Sequence, residues 1–253
     1  MQIKYIIAEM QSILDRGDSK AGTKETIENF IQYLNNIAIG ERLLSDKIIE
    51  LLKLTDLSKI TSEQGFFREF LKIEDLTGEI DRTGIFYLMK DQQTSCWHSL
   101  DTTENWRWIA GCDIIISILS QDKINNVVLN SKNPYLTIKK STLFGVENNL
   151  TVAQDRDNFA LVTCECIPGF TPSLYSNPTK EQLEILSFLY KKDDEKRITI
   201  EKLIPDVQLK EFNELKKKSI TYTPFFSLDT PLNTPEKKGA PQNNVAVKNP
   251  LSN

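Results

Sequence analysis

The 253-residue chain holds a single histidine, His98. With one imidazole, a tetrahedral metal site would have to be built mostly from cysteine, and Cys96, Cys112, Cys164 and Cys166 do not form the CxxC pairs such a site uses. The same four are too sparse and irregular for a disulfide scaffold, and the two-residue step from Cys164 to Cys166 cannot comfortably bridge itself on a strand. Free thiols are expected. No apolar run approaches the roughly 18 residues of a membrane span, and the N-terminal MQIKYIIAEMQSILD carries acidic residues where a signal peptide would have its cleavage site. An excess of positive charge is missing too: 31 Lys and Arg against 35 Asp and Glu leave a net charge of −4, which speaks against a nucleic-acid partner. The expectation is a cytoplasmic protein with no metal, no cofactor, no membrane and no nucleic acid; non-classical delivery into another cell stays open.

Apolar residues make up 40% of the chain, enough for one large domain with appendages or two small ones. Near the start, Ile3, Ile6, Ile7, Met10 and Leu14 recur at helical spacing, as do Ile27, Phe30, Ile31 and Leu34, with the polar DRGDSKAGT between. This predicts a helical hairpin over residues 1–44. Ser45 is placed to cap a third helix, DKIIELLKL.

From about Phe66 to Ile167 the character changes to short segments rich in Ile, Val, Phe and Thr, with turn residues every eight to twelve positions. GFFREFLKI, TGIFYLM, TSCWHSL, NWRWIA, DIIISIL, VVLN, YLTIKK and NFALVTCECI are the strand candidates. Such evenly spaced short strands predict an antiparallel sandwich or barrel, assigned to residues 45–178. Beyond it, Thr179 and Gln182 form a capping box for a helix carrying Leu183, Leu186 and Leu189. A further amphipathic piece after Pro205 sets Val207, Phe212 and Leu215 on one side and ends in KKK, where cations suit the helix dipole. These form a C-terminal helical extension, residues 179–225. Residues 226–253 have no aromatic beyond Phe226 and hold four of the ten prolines, a composition that predicts a disordered tail.

The most informative stretch is WHSLDTTENWRWIAG, residues 97–111, in which His98 and Glu104 are separated by five residues and Gly111 follows after six more. That interval resembles the first motif of the cupins, in which a hairpin points a histidine and a carboxylate into the mouth of a small barrel. The chain is similar to one branch, the Cupin_5 family (domain of unknown function 985, predicted sugar-epimerase-like), whose pattern runs H-P-E-G-G-Y-F-R-E, then W-H-x-L-x-x-x-E-x-W-x-x-x-A-G, then A-P-G-F. Here these stand as TSEQGFFRE at 61–69, WHSLDTTENWRWIAG, and IPGF at 167–170. The resemblance covers about residues 45 to 176 and implies a mainly β fold: a double-stranded β-helix (cupin/jelly-roll barrel, RmlC-like) with added N- and C-terminal α-helices.

The departures bear on function. Thr61 replaces the family's first histidine, Gln64 a glycine, and Arg107 a position often held by a second histidine. In the second cupin motif the Pro-x-Gly turn reads Lys139-Lys140-Ser141, and Leu143 and Phe144 stand where an aromatic or metal-binding histidine belongs. A standard metal centre is incomplete. Strand parity puts Glu104, Trp106 and Trp108 on one face and Asn105, Arg107 and Ile109 on the other, and gives Cys96 the face of His98.

The candidate catalytic residues are therefore His98, whose ordinary pKa of about 6.5 suits proton abstraction, and Glu104 as its partner. Trp106, Trp108, Cys96, Arg68 and Tyr87 are the candidate ligand-binding residues. Each has a plainer alternative: a hydrogen-bonded structural histidine, core aromatics, a small buried thiol. Three functions follow, in this order: a metal-free small-molecule binding protein with a sugar-like ligand implied by the resemblance, a metal-independent epimerase or isomerase using His98 and Glu104, and a non-catalytic interaction or effector protein working through its terminal helices. The expected partners are an unknown small-molecule ligand and a second copy in a homodimer.

Overall fold

The structure is a computed structural model and describes residues 2–17, 20, 22–37, 42–59, 63–150 and 158–218. Thr61 and the expected disordered tail lie outside the described residues.

Three helices open the chain: α1 (Gln2–Asp15), α2 (Thr23–Asn36) and α3 (Ser45–Leu52). Ser45 is not the cap of α3. It is the first helical residue, and Leu44, in extended backbone, precedes it without a side-chain capping bond. The strands follow as β1 (Thr55–Asp56), β2 (Phe66–Glu74), β3 (Ile80–Lys90), β4 (Thr94–Leu100), β5 (Thr103–Gly111), β6 (Ile114–Ser120), β7 (Lys123–Leu129), β8 (Tyr135–Ile138), β9 (Phe144–Asn148), β10 (Phe159–Ile167) and β11 (Tyr175–Ser176). They build two sheets, β1-β2-β3-β10-β5-β8 and β11-β4-β9-β6-β7, and all their pairings are antiparallel. This is the jelly-roll barrel expected from the sequence, with helices at both ends.

Alternation along the strands sorts their side chains into three cores. Tyr87, Trp106, Phe144, Val162 and Cys164 meet inside the barrel. Phe86, Leu88, Ile109 and Leu161, from the outer face of the six-stranded sheet, pack against Met10, Phe30 and Ile48 of α1–α3. On the outer face of the other sheet, Trp97 and Leu143 receive the C-terminal helices α4 (Lys180–Lys192), α5 (Arg197–Lys202) and α6 (Leu209–Lys217) through Leu186, Ile200 and Phe212.

The α4 capping box is present: Thr179 Oγ1 accepts from the Gln182 backbone N–H at 3.2 Å and Gln182 Oε1 from that of Thr179 at 2.8 Å. Val207 does not share the buried side of Phe212 and Leu215. It lies in a 3₁₀ turn ahead of α6 and is 69% exposed.

Gly111, the last residue of the central motif, has φ 101°, and a Cβ there would sit 2.0 Å from the Phe159 carbonyl oxygen. Only glycine lets β10 approach this closely at that backbone angle. Gly65 makes the same allowance at φ 103°, facing the Leu88 carbonyl and the Tyr87 ring.

Candidate functional site

The segment between His98 and Glu104 does not close a hairpin. β4 belongs to the five-stranded sheet and β5 to the six-stranded one, so Asp101 and Thr102 carry the chain from one wall of the barrel to the other. His98 and Glu104 therefore project inward from opposing sheets. Both are buried, at 6% and 7% exposure.

The imidazole is held on three sides. Its Nδ1 donates to the Cys96 carbonyl at 2.7 Å, which in the neutral ring leaves the lone pair on Nε2. Phe144, its cross-strand partner on β9, packs tilted at 4.3 Å between centroids, and Tyr175 of β11 stacks on it at 5.1 Å. The Tyr175 hydroxyl donates to Glu63 Oε1 at 2.5 Å, and the Cys96 backbone N–H to Glu63 Oε2 at 3.2 Å. Glu63 lies just ahead of β2 and is itself buried.

Glu104 is less well supplied. Neither its Oε2 nor Trp106 Nε1 completes a hydrogen bond of good geometry. Burial pushes the Glu104 carboxyl up from its ordinary range, with Glu63 adding to the rise, while His98 and the nearby Trp106 N–H pull against it. The sum is upward, because removing a carboxylate from water outweighs the partial compensation. Burial raises Tyr175 and Cys166 too, with Glu63 acting on the first and Glu104 on the second.

The expected ligand-binding residues divide. Trp106 and Tyr87 share the interior with Glu104; their rings meet edge to face at 6.2 Å, and the Tyr87 hydroxyl donates to the Gln64 carbonyl at 2.6 Å. Cys96 is close to His98, but burial and Glu63 push its thiol up to about 12, which leaves it protonated at neutral pH.

Trp108 faces inward but lies four residues farther along β5, roughly 13 Å away at strand rise. Its indole N–H donates to the Cys112 carbonyl at 2.9 Å and its ring adjoins Tyr5 of α1, so the structure does not bring it to Glu104. Arg68 is not in the interior. Parity turns it outward, where its guanidinium donates to Thr26 Oγ1 at 3.0 Å and to the Leu52 and Gly22 carbonyls, tying β2 to the N-terminal helices. Arg107 also points outward, paired with Glu9 of α1 and lying over the Tyr135 ring at 5.0 Å.

Two participants escape a reading of the sequence alone. Glu63 keeps the glutamate of the TSEQGFFRE motif, a signal overshadowed by the changed residues on either side of it. Tyr175 had no local signal: it comes from a two-residue strand held by pairing with β4.

The residues do not fit a cupin metal centre. His98 offers a metal only Nε2, Phe144 packs beside the ring where a second ligand would stand, and Glu63 accepts from Tyr175 and Cys96. Among the described residues no three His, Cys, Asp or Glu side chains are grouped to hold a metal ion. Two surface cavities of about 430 Å³ lie elsewhere, one between α1 and α2 near Gln11 and Glu28, the other near Gln64 and Gln93.

Two antiparallel sheets closed over an interior histidine and carboxylate, with the connecting motif intact, define a cupin-fold barrel. Residues 46–176, more than half of the chain, match the Cupin_5 family, described as "Cupin superfamily (DUF985)", and the chain belongs to it. Among solved structures it is similar to a protein from Shewanella oneidensis, with 22% identity and a TM-score of 0.51 over 64% of this chain and 98% of that one. A hypothetical protein from Leishmania major is similar at 18% identity and a TM-score of 0.50, over 65% of this chain and all of that one. These likenesses show the fold. A search of curated proteins finds no match. Among the described residues no helix is long and apolar enough to cross a membrane.

Proposed function

We propose that the chain binds a small polar molecule inside the end of the barrel where Glu63, His98, Glu104 and Tyr175 converge, without a bound metal. One observation carries this reading: the buried Glu104 carboxyl, near the Trp106 indole N–H but without a hydrogen bond of good geometry to its Oε2, faces a histidine on the opposite sheet. A buried polar group left short of a partner costs about 1–3 kcal/mol, and such groups concentrate where a ligand completes them. The helices support the same reading, since they pack on the outer faces of the two sheets.

The raised Glu104 carboxyl favours a second reading, metal-independent epimerisation or isomerisation. His98 Nε2 would take a proton from one side of a bound molecule, and the Glu104 carboxyl would deliver one from the other. Both roles use groups that the barrel already opposes.

A thermal-shift screen against small metabolites, nucleotide sugars included, tests binding, because a ligand of the native state raises the melting temperature. With a ligand in hand, calorimetry is expected to show at least tenfold weaker binding for His98→Ala and Glu104→Gln and unchanged affinity for Arg107→Ala. Equal affinities throughout would make His98 and Glu104 structural. Exchange of a ligand C–H for solvent deuterium, lost in both variants, would select the second reading.

A further inference from the structure

We infer that the C-terminal helical extension positions His98: by holding a bulge in β4 it sets which ring nitrogen carries the proton, and Leu203 is the positioning residue. This rests on the reading that His98 Nε2 serves the barrel interior and adds what keeps that nitrogen free. Leu203 lies beyond residues 46–176, the span that matches the family.

Ser95 of β4 faces Val146 of β9 and His98 faces Phe144, so Cys96 and Trp97 together oppose Gly145. Such an extra residue interrupts the ladder and re-aims the side chains beside it. The peptide group between Cys96 and Trp97 is held at both ends: its carbonyl accepts from His98 Nδ1 at 2.7 Å, and its N–H donates to the Leu203 carbonyl at 2.7 Å. Because a peptide is planar and trans, it cannot turn without breaking both bonds. A carbonyl can only accept, so a neutral ring bonded to it carries its proton on Nδ1 and keeps the Nε2 lone pair open. Glu63 steadies the preceding peptide through the Cys96 N–H at 3.2 Å.

The extension grips the bulge from outside the barrel. Leu203 closes α5, and the Ile200 carbonyl one turn earlier accepts from the Trp97 indole at 3.3 Å. A Cβ at Gly145 would lie 3.0 Å from Leu203 Cδ1 and 3.4 Å from its Cβ, so the leucine occupies the space over the glycine. Thr199 and Lys202 fasten α5 to β9 by donating to the two carboxylate oxygens of Glu147, at 3.0 Å each. Both strands of the bulge are thus tied to one short helix, and His98 takes its orientation from the peptide between them.

The chain has one histidine, so ring ¹⁵N spectra of the full chain labelled at histidine report His98 alone. At a pH where the ring is neutral, the wild type is expected to show the Nδ1-protonated tautomer in excess, since the bond a ring makes decides which nitrogen is protonated. Leu203→Ala should lower the ratio of Nδ1-H to Nε2-H about threefold or more, whereas Leu215→Ala, a similar loss from the same core on α6, should leave it unchanged. A wild-type ring protonated on Nε2, an unchanged ratio in Leu203→Ala, or an equal fall in both variants overturns the positioning role. If Leu203→Ala does not fold, Lys202→Met loosens α5 from the surface. The Trp97 amide should then exchange faster with solvent and the ratio should fall with it; a constant ratio overturns the inference here too. No ligand is needed, so a screen that finds none would end the binding reading and leave this result standing, and the converse holds as well.

Discussion

The phenol of Tyr175 lies flat on the imidazole of His98, with the ring planes 11° apart and the centroids 5.1 Å apart, while its hydroxyl donates to Glu63. One side chain thus covers the histidine and anchors a carboxylate supplied by the segment ahead of β2. Tyr175→Phe keeps the stack and removes the donor from a buried carboxylate. It is expected to cost about 1–3 kcal/mol in urea unfolding. An unchanged midpoint would mean that the bond contributes nothing to stability.

Arg107 and Glu9 make the corresponding connection on the outside of the barrel. Glu9 is almost fully buried and Arg107 about a quarter exposed, at 8% and 24% side-chain exposure. Arg107→Ala leaves the carboxylate unpaired beneath α1. A fully buried pair broken this way loses about 3–5 kcal/mol; partial exposure of the arginine lowers the expectation to about 1–3 kcal/mol. Hydrogen exchange should quicken in α1 before it does in β5, and the two elements exchanging alike would show that this pair does not hold the helix.

Glu104 gives stability a pH dependence of definite sign. Its carboxyl is raised in the folded state, so between its ordinary value of about 4.3 and the higher folded value the native protein binds more protons than the unfolded one. Its contribution is most favourable below the ordinary value and is lost as pH rises through the folded one. Glu104→Gln removes the titration. The variant should therefore gain on the wild type in melting temperature as pH rises from about 4 to about 8, and a constant difference across that range would contradict the assignment.

Gly111 and Gly78 separate backbone angle from close approach. Both have positive φ, 101° and 87°, but a Cβ at Gly78 meets nothing within 4 Å, whereas one at Gly111 collides with the Phe159 carbonyl. Gly78→Ala should cost about 1–2 kcal/mol, the price of the left-handed angle alone. Gly111→Ala must also push β10 away from β5 and should lower expression of folded protein sharply; similar stability for the two variants would refute the steric role.

Much of this was already written in short-range patterns. Alternation assigned Trp106 and Glu104 to one face of β5 and Arg107 to the other, and Thr179 and Gln182 announced the start of α4, because such signals depend on residues only a few positions apart. The ordered motifs identified the barrel in a similar way: Gly65 and Gly111 each answer to a positive backbone angle, while Gly169 answers to the close approach of Ile80 and Arg82. β9 was not legible. Phe144-Gly145-Val146-Glu147-Asn148 carries residues that read as strand breakers, and it is a strand because β4 and β6 pair with it on both sides.

The arrangement of the site was decided only by tertiary structure. The sequence determined that His98 and Glu104 would lie near one end of a barrel and lacked the partners for a metal. That they face each other from different sheets follows from strand order. Tyr175 over His98, Glu63 beneath Tyr175, and the outward engagement of Arg68 likewise depend on which distant segments the sheets bring together, a property that no local pattern carries.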